Sequence, residues 1–284
     1  MNWFLYALLC AFFLATSDVF AKKALREVDE YVVAWGRLIW SAPFILCIFP
    51  FAQVPVITTK FWWAVIILLP VEITALIMYT KAIKLSPLSI TTPFLGLTPV
   101  FLIGTSFLIL GELPDKSGFL GILLVTWGAY MLNIRDAKTG LLGPLRAVAK
   151  ERGSALMVFV ALIYSITSIL GKIASQNSSP LFFSMAYVVV VPLVLFPVVY
   201  AHSSWRGIRQ AFRKPSFILL GFFYGLSILC HMQAIVLTEV PYMISVKRSS
   251  LLFSIFYGRL IFKEERFLER AGGGLLILAG IACI

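Results

Sequence analysis

Residues 111–132, GELPDKSGFLGILLVTWGAYML, and residues 263–284, KEERFLERAGGGLLILAGIACI, are two copies of one segment, and that duplication decides the fold. A shift of 152 residues lays Glu112 on Glu264, Gly121 on Gly273 and Gly128 on Gly280. The same shift pairs Ala82 with Ala234 and Tyr79 with His231. Near the start a shift of 150 lays SDVFAKKA (17–24) on TSILGKIA (167–174), so that Lys22 meets Lys172. Outward from these matches the chain is almost wholly apolar. Of its 284 residues, 60% are hydrophobic and 13% charged, with a mean hydropathy of +0.95. A soluble domain carries about 25% charged residues, so a water-soluble enzyme is excluded. A nucleic-acid-binding role for the net charge of +11 is excluded as well, because bilayer-length apolar runs dominate.

A helix needs about 20 apolar residues to cross the hydrocarbon of a bilayer. On that rule the chain reads as an all-α polytopic membrane protein with ten transmembrane helices, near 3–21, 31–51, 61–80, 88–110, 117–134, 154–174, 181–201, 216–236, 242–262 and 268–284. Its organisation is a first five-helix repeat (1–134), a cytoplasmic linker (135–153) and a second five-helix repeat (154–284). Connections 135–153 and 202–215 alone have room for a short surface helix. Five is odd, so the second repeat crosses the membrane upside down relative to the first. Inverted repeats are an architecture of secondary transporters, with the substrate near mid-membrane where the halves meet. The basic residues sort by side: 17 of the 24 Lys and Arg fall on one side, and only Lys60, Lys116 and Lys172 on the other. The positive-inside rule puts the richer side in the cytoplasm and both termini outside. Cys10, Cys47, Cys230 and Cys283 lie in apolar runs at unrelated spacings, which indicates neither disulfides nor zinc.

With its two lysines closing the first helix of each repeat (Lys22, Lys172), Arg37 in AWGRLIW, and the glutamates opening the last helices (Glu112 in LGELP, Glu264 in FKEER), the sequence resembles the EamA type of the drug/metabolite transporter superfamily. The resemblance covers nearly the whole chain. It implies ten helices in two repeats and export of amino acids, metabolites or drugs. It also implies both termini in the cytoplasm, the alternative to the orientation given by the Lys/Arg count.

Ionisable groups within a bilayer are costly and each asks for a reason. Lys247 and Arg248 stand together roughly 9–10 Å into the ninth span at 1.5 Å per residue. Two cations there cost roughly 5–7 kcal/mol, comparable to what the span's apolar residues supply. A substrate acid group is one counter-ion; Glu72 or Asp18 is the structural alternative. Ser249, with Ser245 and Ser250, suggests a wet lining. Glu72, twelfth in the third span, is the deepest acid and a candidate proton carrier, with Asp18 and His231 as further members of a proton relay. Asp18 and Lys22 form an i,i+4 pair expected to neutralise itself, whereas Lys172, with Ser168 in place of the acid, lacks such a local partner. Arg37 and Tyr79 are further substrate-binding candidates. Trp40, with Trp35 beside Arg37, is a candidate for stacking on a flat substrate. Pro93, Gly96 and Pro99 bend the fourth span; the matching ninth has no proline, so one half is expected to supply the bend and the other the charge. The glycines of helices 5 and 10 read as close-packing positions.

The function expected from these residues is alternating-access transport of a small anionic or zwitterionic metabolite, such as an amino acid, possible proton coupling included. The expected location is the cytoplasmic membrane. Partners are a small-molecule substrate and the lipid bilayer, with no nucleic acid and no cofactor, in a monomer or homodimer. An intramembrane lipid-modifying enzyme or lipid flippase is the alternative. An enzyme finds little support, since the chain has two histidines, no HExxH and no CxxC.

Overall fold

The computed structural model describes residues 2–51, 55–86, 88–134, 151–262 and 271–284, and every regular element among them is helical. The first half contains α1 (Asn2–Ala24), α2 (Glu30–Ile39), α3 (Ala42–Leu46), α4 (Thr59–Leu85), α5 (Leu88–Thr91), α6 (Thr98–Leu110) and α7 (Lys116–Ile134). The second contains α8 (Arg152–Gln176), α9 (Pro180–His202), α10 (Trp205–Arg213), α11 (Pro215–Val236), α12 (Val240–Lys247), α13 (Ser250–Phe262) and α14 (Ala271–Cys283). Six segments have the length and apolarity of a membrane crossing: 3–24, 59–85, 92–110, 152–176, 180–202 and 215–236. The helices α7 and α14 are apolar but shorter. Glu264 and most of the linker 135–153 lie outside the described residues.

Three expected spans are split, the second, the fourth and the ninth. The second breaks at Trp40–Ser41 between α2 and α3, because Pro43 has no N–H to offer the Ile39 carbonyl one turn back. The ninth breaks at Arg248–Ser249 without any proline. There the backbone tightens to 3₁₀ geometry: Arg248 N–H reaches Ser245 O at 3.1 Å and Ser249 N–H reaches Val246 O at 3.0 Å. A 3₁₀ turn over Thr92–Leu97 occupies the corresponding place in the first half, between α5 and α6. Both halves therefore supply a bend, which corrects the expectation of one bent and one continuous helix.

The helix pairs with the most extensive contact are α1 with α11, α4 with α8, and α7 with α14. Exchanging the halves turns the first pair into the second and the third into itself, which is the pattern of a pseudo-twofold axis. Glycine contacts fix the sense of the third pair. A Cβ on Gly121 would lie 2.7 Å from the Gly280 carbonyl oxygen, and one on Gly280 would lie 2.6 Å from that of Gly121. Gly128 and Gly273 face each other in the same reciprocal way, at 2.6 and 2.7 Å. As numbers rise along α7 they fall along α14, so these equivalent helices are antiparallel and the repeats are inverted. Small residues permit this backbone approach, the main source of helix association where lipid is as apolar as leucine.

We expect Gly128→Ala to lower stability by roughly 1–3 kcal/mol through overpacking against backbone, read as thermal unfolding in detergent. Gly104→Ala, where a Cβ meets nothing within 4 Å, should be neutral or stabilising; equal losses from both would contradict this packing.

Candidate functional site

Between the halves lies a cavity walled by α1, α2, α4 and the Thr92–Leu97 turn on one side and α8, α9, α11 and α12 on the other. Its polar lining includes Arg37, Glu72, Tyr79, His231, Lys247 and Arg248 from the residues singled out in the sequence. Those residues sort into three groups.

In the first, Arg37 Nη2 donates to Asp18 Oδ1 at 2.8 Å, and Tyr79 OH donates to Asp18 Oδ2 at 2.5 Å. The guanidinium also lies over the rings of Tyr224 (4.6 Å) and Tyr79 (5.5 Å), where the negative ring face favours a cation. Asp18 and Arg37 are both buried, so this pair is self-compensating. In the second, Glu72 Oε1 accepts from Tyr187 OH at 2.6 Å, with Thr167 on the same lining. In the third, the Lys247 ammonium donates to His231 Nδ1 at 3.2 Å. Arg248, 3% exposed, has a buried Nε without a partner. Among the described residues no carboxylate lies within ion-pair distance of Lys247 or Arg248. Among the described residues, the cavity thus keeps two cations that form no direct ion pair with a side chain.

The broken ninth span explains how they get there. The helix α12 is only eight residues long, and its N-terminus is clamped. Glu112 Oε2 accepts from Val240 N–H at 3.1 Å and from Ser106 Oγ at 3.0 Å, while Oε1 pairs with the Lys172 ammonium. An anion at a helix N-terminus satisfies donors that have no partner within the helix. Gly111, with φ +71°, ends α6 in the left-handed region and directs the chain into Glu112. Lys172 also donates to Thr238 O at 2.8 Å, beyond the end of α11. Lys22 does the same to Ser86 O at 2.7 Å, at the end of α4. Ser86 and Thr238 are 152 apart, so the two lysines cap equivalent helix ends. Outside the apolar layer, Asp115 is held below the usual carboxylate range by the backbone N–H of Gly118 and the hydroxyl of Tyr242, which ties α7 to α12.

Several placements differ from the sequence reading. Asp18 pairs with Arg37 rather than Lys22, because the lysine is drawn to unsatisfied carbonyls at a helix end. Lys172 has a partner after all, supplied by Glu112 from α6–α7. Trp40 is not on the cavity: its Nε1 donates to Ala211 O of α10 at 3.1 Å and its ring meets Phe212. Trp35 likewise turns away, donating to Pro192 O at 3.2 Å. Ser249 is buried next to Arg248 without lining the cavity. Three lining tyrosines were missed, Tyr164, Tyr187 and Tyr224. The repeat itself points to them. Shifts of 150 and 152 carry Leu14 to Tyr164, Arg37 to Tyr187 and Glu72 to Tyr224, as they carry Tyr79 to His231 and Leu95 to Lys247.

A family model, the EamA-like transporter family, matches residues 1–134 and again 151–284. The chain belongs to the EamA-like transporter family. A solved structure described only as "Crystal structure of protein" superposes on this EamA protein with a TM-score of 0.77 at 13% identity, over 100% of this chain and 98% of that one. That likeness speaks to the fold alone. Among curated proteins none matches the sequence.

The clamp on α12 gives a direct test. Lys172→Met leaves the Glu112 carboxylate without its cation and should cost roughly 3 kcal/mol. Lys84→Met, which removes the 39%-exposed lysine from its pair with Glu30, should cost less than about 1 kcal/mol. Chemical unfolding of both variants in detergent would show the difference, and equal small losses would count against the clamp.

Proposed function

We propose that this EamA protein is a secondary, alternating-access transporter of a small anionic or zwitterionic metabolite, with an amino acid as the simplest fit. One observation carries the reading: Lys247 and Arg248 face a cavity at the junction of two inverted halves with no carboxylate in ion-pair reach among the described residues. Uncompensated cations in a membrane interior are expensive, and a carboxylate or phosphate on the cargo is the counter-ion that relieves the cost. Asp18 and Arg37 neutralise one another and act as wall. Glu72 remains as the group that takes up or releases a proton during the cycle, with Tyr187 as its hydrogen-bond donor. His231 positions Lys247. Rocking of one half against the other would expose the site to each face in turn. In this reading the protein sits in the cytoplasmic membrane with the Lys/Arg-rich side in the cytoplasm and both termini outside.

Proteoliposome flux tests the assignment. Lys247→Met and Arg248→Met should each raise the half-saturating concentration of an acidic cargo at least tenfold, the loss of about one charged contact. Glu72→Gln should abolish the response to an imposed pH gradient while leaving cargo exchange between the two faces intact. Unchanged saturation in the cation variants, together with an undiminished pH response in Glu72→Gln, would end the assignment.

A further inference from the structure

The helix α10 lies between α9 and α11, both of membrane-crossing length, and therefore at the boundary where the bilayer meets water. At 100° per residue its nine residues separate into three stripes. Gly207, Ile208 and Ala211 are buried against the protein. Trp205 and Phe212, 63% and 50% exposed, form a second stripe beside the first. Arg206, Arg209 and Arg213 fall within about 60° of one another on the face opposite the buried one, and all three are exposed. No acidic residue occurs in the helix; Lys214, just past its end, pairs with Glu27.

The element is fixed to the transport domain rather than hanging from it. Ser204 caps its start by accepting from Gly207 N–H at 3.2 Å, and Trp40, just past the end of α2, donates to Ala211 O. Ser203, next to the cap, donates to Asp29 Oδ1 at 2.7 Å, the same oxygen that caps α2 by accepting from Val32 N–H. A rigid short helix with an aromatic edge and a basic face is the pattern of an element lying in the plane of the lipid headgroups. Aromatic side chains sit at the acyl boundary, and cations at this depth meet the anionic heads of the same leaflet.

We propose that the Arg206–Arg209–Arg213 face of α10 is a binding site for the headgroup of an anionic phospholipid. The phosphate oxygens accept from the guanidinium forks, a geometry suited to bidentate contact, while Trp205 and Phe212 lie along the acyl chains. This site is separate from the central cavity, and its test does not require a transport substrate.

The test uses protein reconstituted in phosphatidylcholine vesicles doped with brominated phosphatidylglycerol or brominated phosphatidylcholine. It reads quenching of Trp205, with Trp205→Phe giving the background of the other tryptophans. The expected result is that brominated phosphatidylglycerol quenches at a mole fraction at least tenfold lower than brominated phosphatidylcholine, since each cation near an anionic surface contributes about fivefold. In the triple variant R206Q/R209Q/R213Q that preference should vanish while quenching by brominated phosphatidylcholine is unchanged, which also shows that the helix is still seated. Equal quenching by the two lipids in the unaltered protein would overturn the proposal. So would a preference surviving the triple variant, or one erased by millimolar inorganic phosphate at constant ionic strength, which would make the face a site for free phosphate.

Discussion

A guanidinium and a carboxylate buried together, Arg37 and Asp18, hold the centre of this protein. An unpaired charge at that depth is costly, and breaking such a pair costs several kcal/mol because the partner is left stranded. Asp18 belongs to α1, Arg37 to α2, and Tyr79, which closes the second carboxylate oxygen, to α4. Tyr224 of α11, under the guanidinium, brings in the other half. One ion pair therefore fixes four helices around the cavity. Because it cancels its own charge, Lys247 and Arg248 are the cations that remain on the described cavity lining without a direct ion pair.

The two halves repeat their scaffold and diverge in their lining. The glycine contacts of α7 and α14 are reciprocal, and Lys22 and Lys172 cap corresponding helix ends. These positions are constrained by backbone approach and by unsatisfied carbonyls, which both copies share. On the cavity, by contrast, equivalent positions carry unlike chemistry: Glu72 opposite Tyr224, Arg37 opposite Tyr187, Leu95 opposite Lys247. A solute has no twofold symmetry, so nothing requires its contacts to be symmetric.

Much of this was legible in the chain. Apolar runs set the crossing helices, the five spans expected in each repeat implied inversion, and the shift of 152 located the close-packing glycines. Lys247 and Arg248 stood out because charge in a bilayer is expensive. What escaped was long-range. The i,i+4 spacing of Asp18 and Lys22 suggested a local pair, but that rule describes solvated helix surfaces, and Asp18 faces α2 instead. The break at Arg248 carries no proline or glycine, and the clamp on the start of α12 comes from Glu112, a residue 128 positions away from Val240. Trp40 read as a stacking platform because it neighbours Arg37, yet the split of the second span turns its ring toward α10. Tyr187 and Tyr224 were legible only by carrying Arg37 and Glu72 across the repeat.

The self-compensation of Arg37 and Asp18 is the claim on which the rest stands, and a double-mutant cycle on unfolding in detergent measures it most directly. Asp18→Asn and Arg37→Met should each destabilise by about 3 kcal/mol or more, and the double variant should recover at least about 2 kcal/mol of the summed loss. Losses that simply add would mean that the two charges do not depend on each other, and the account of the cavity built on them would be contradicted.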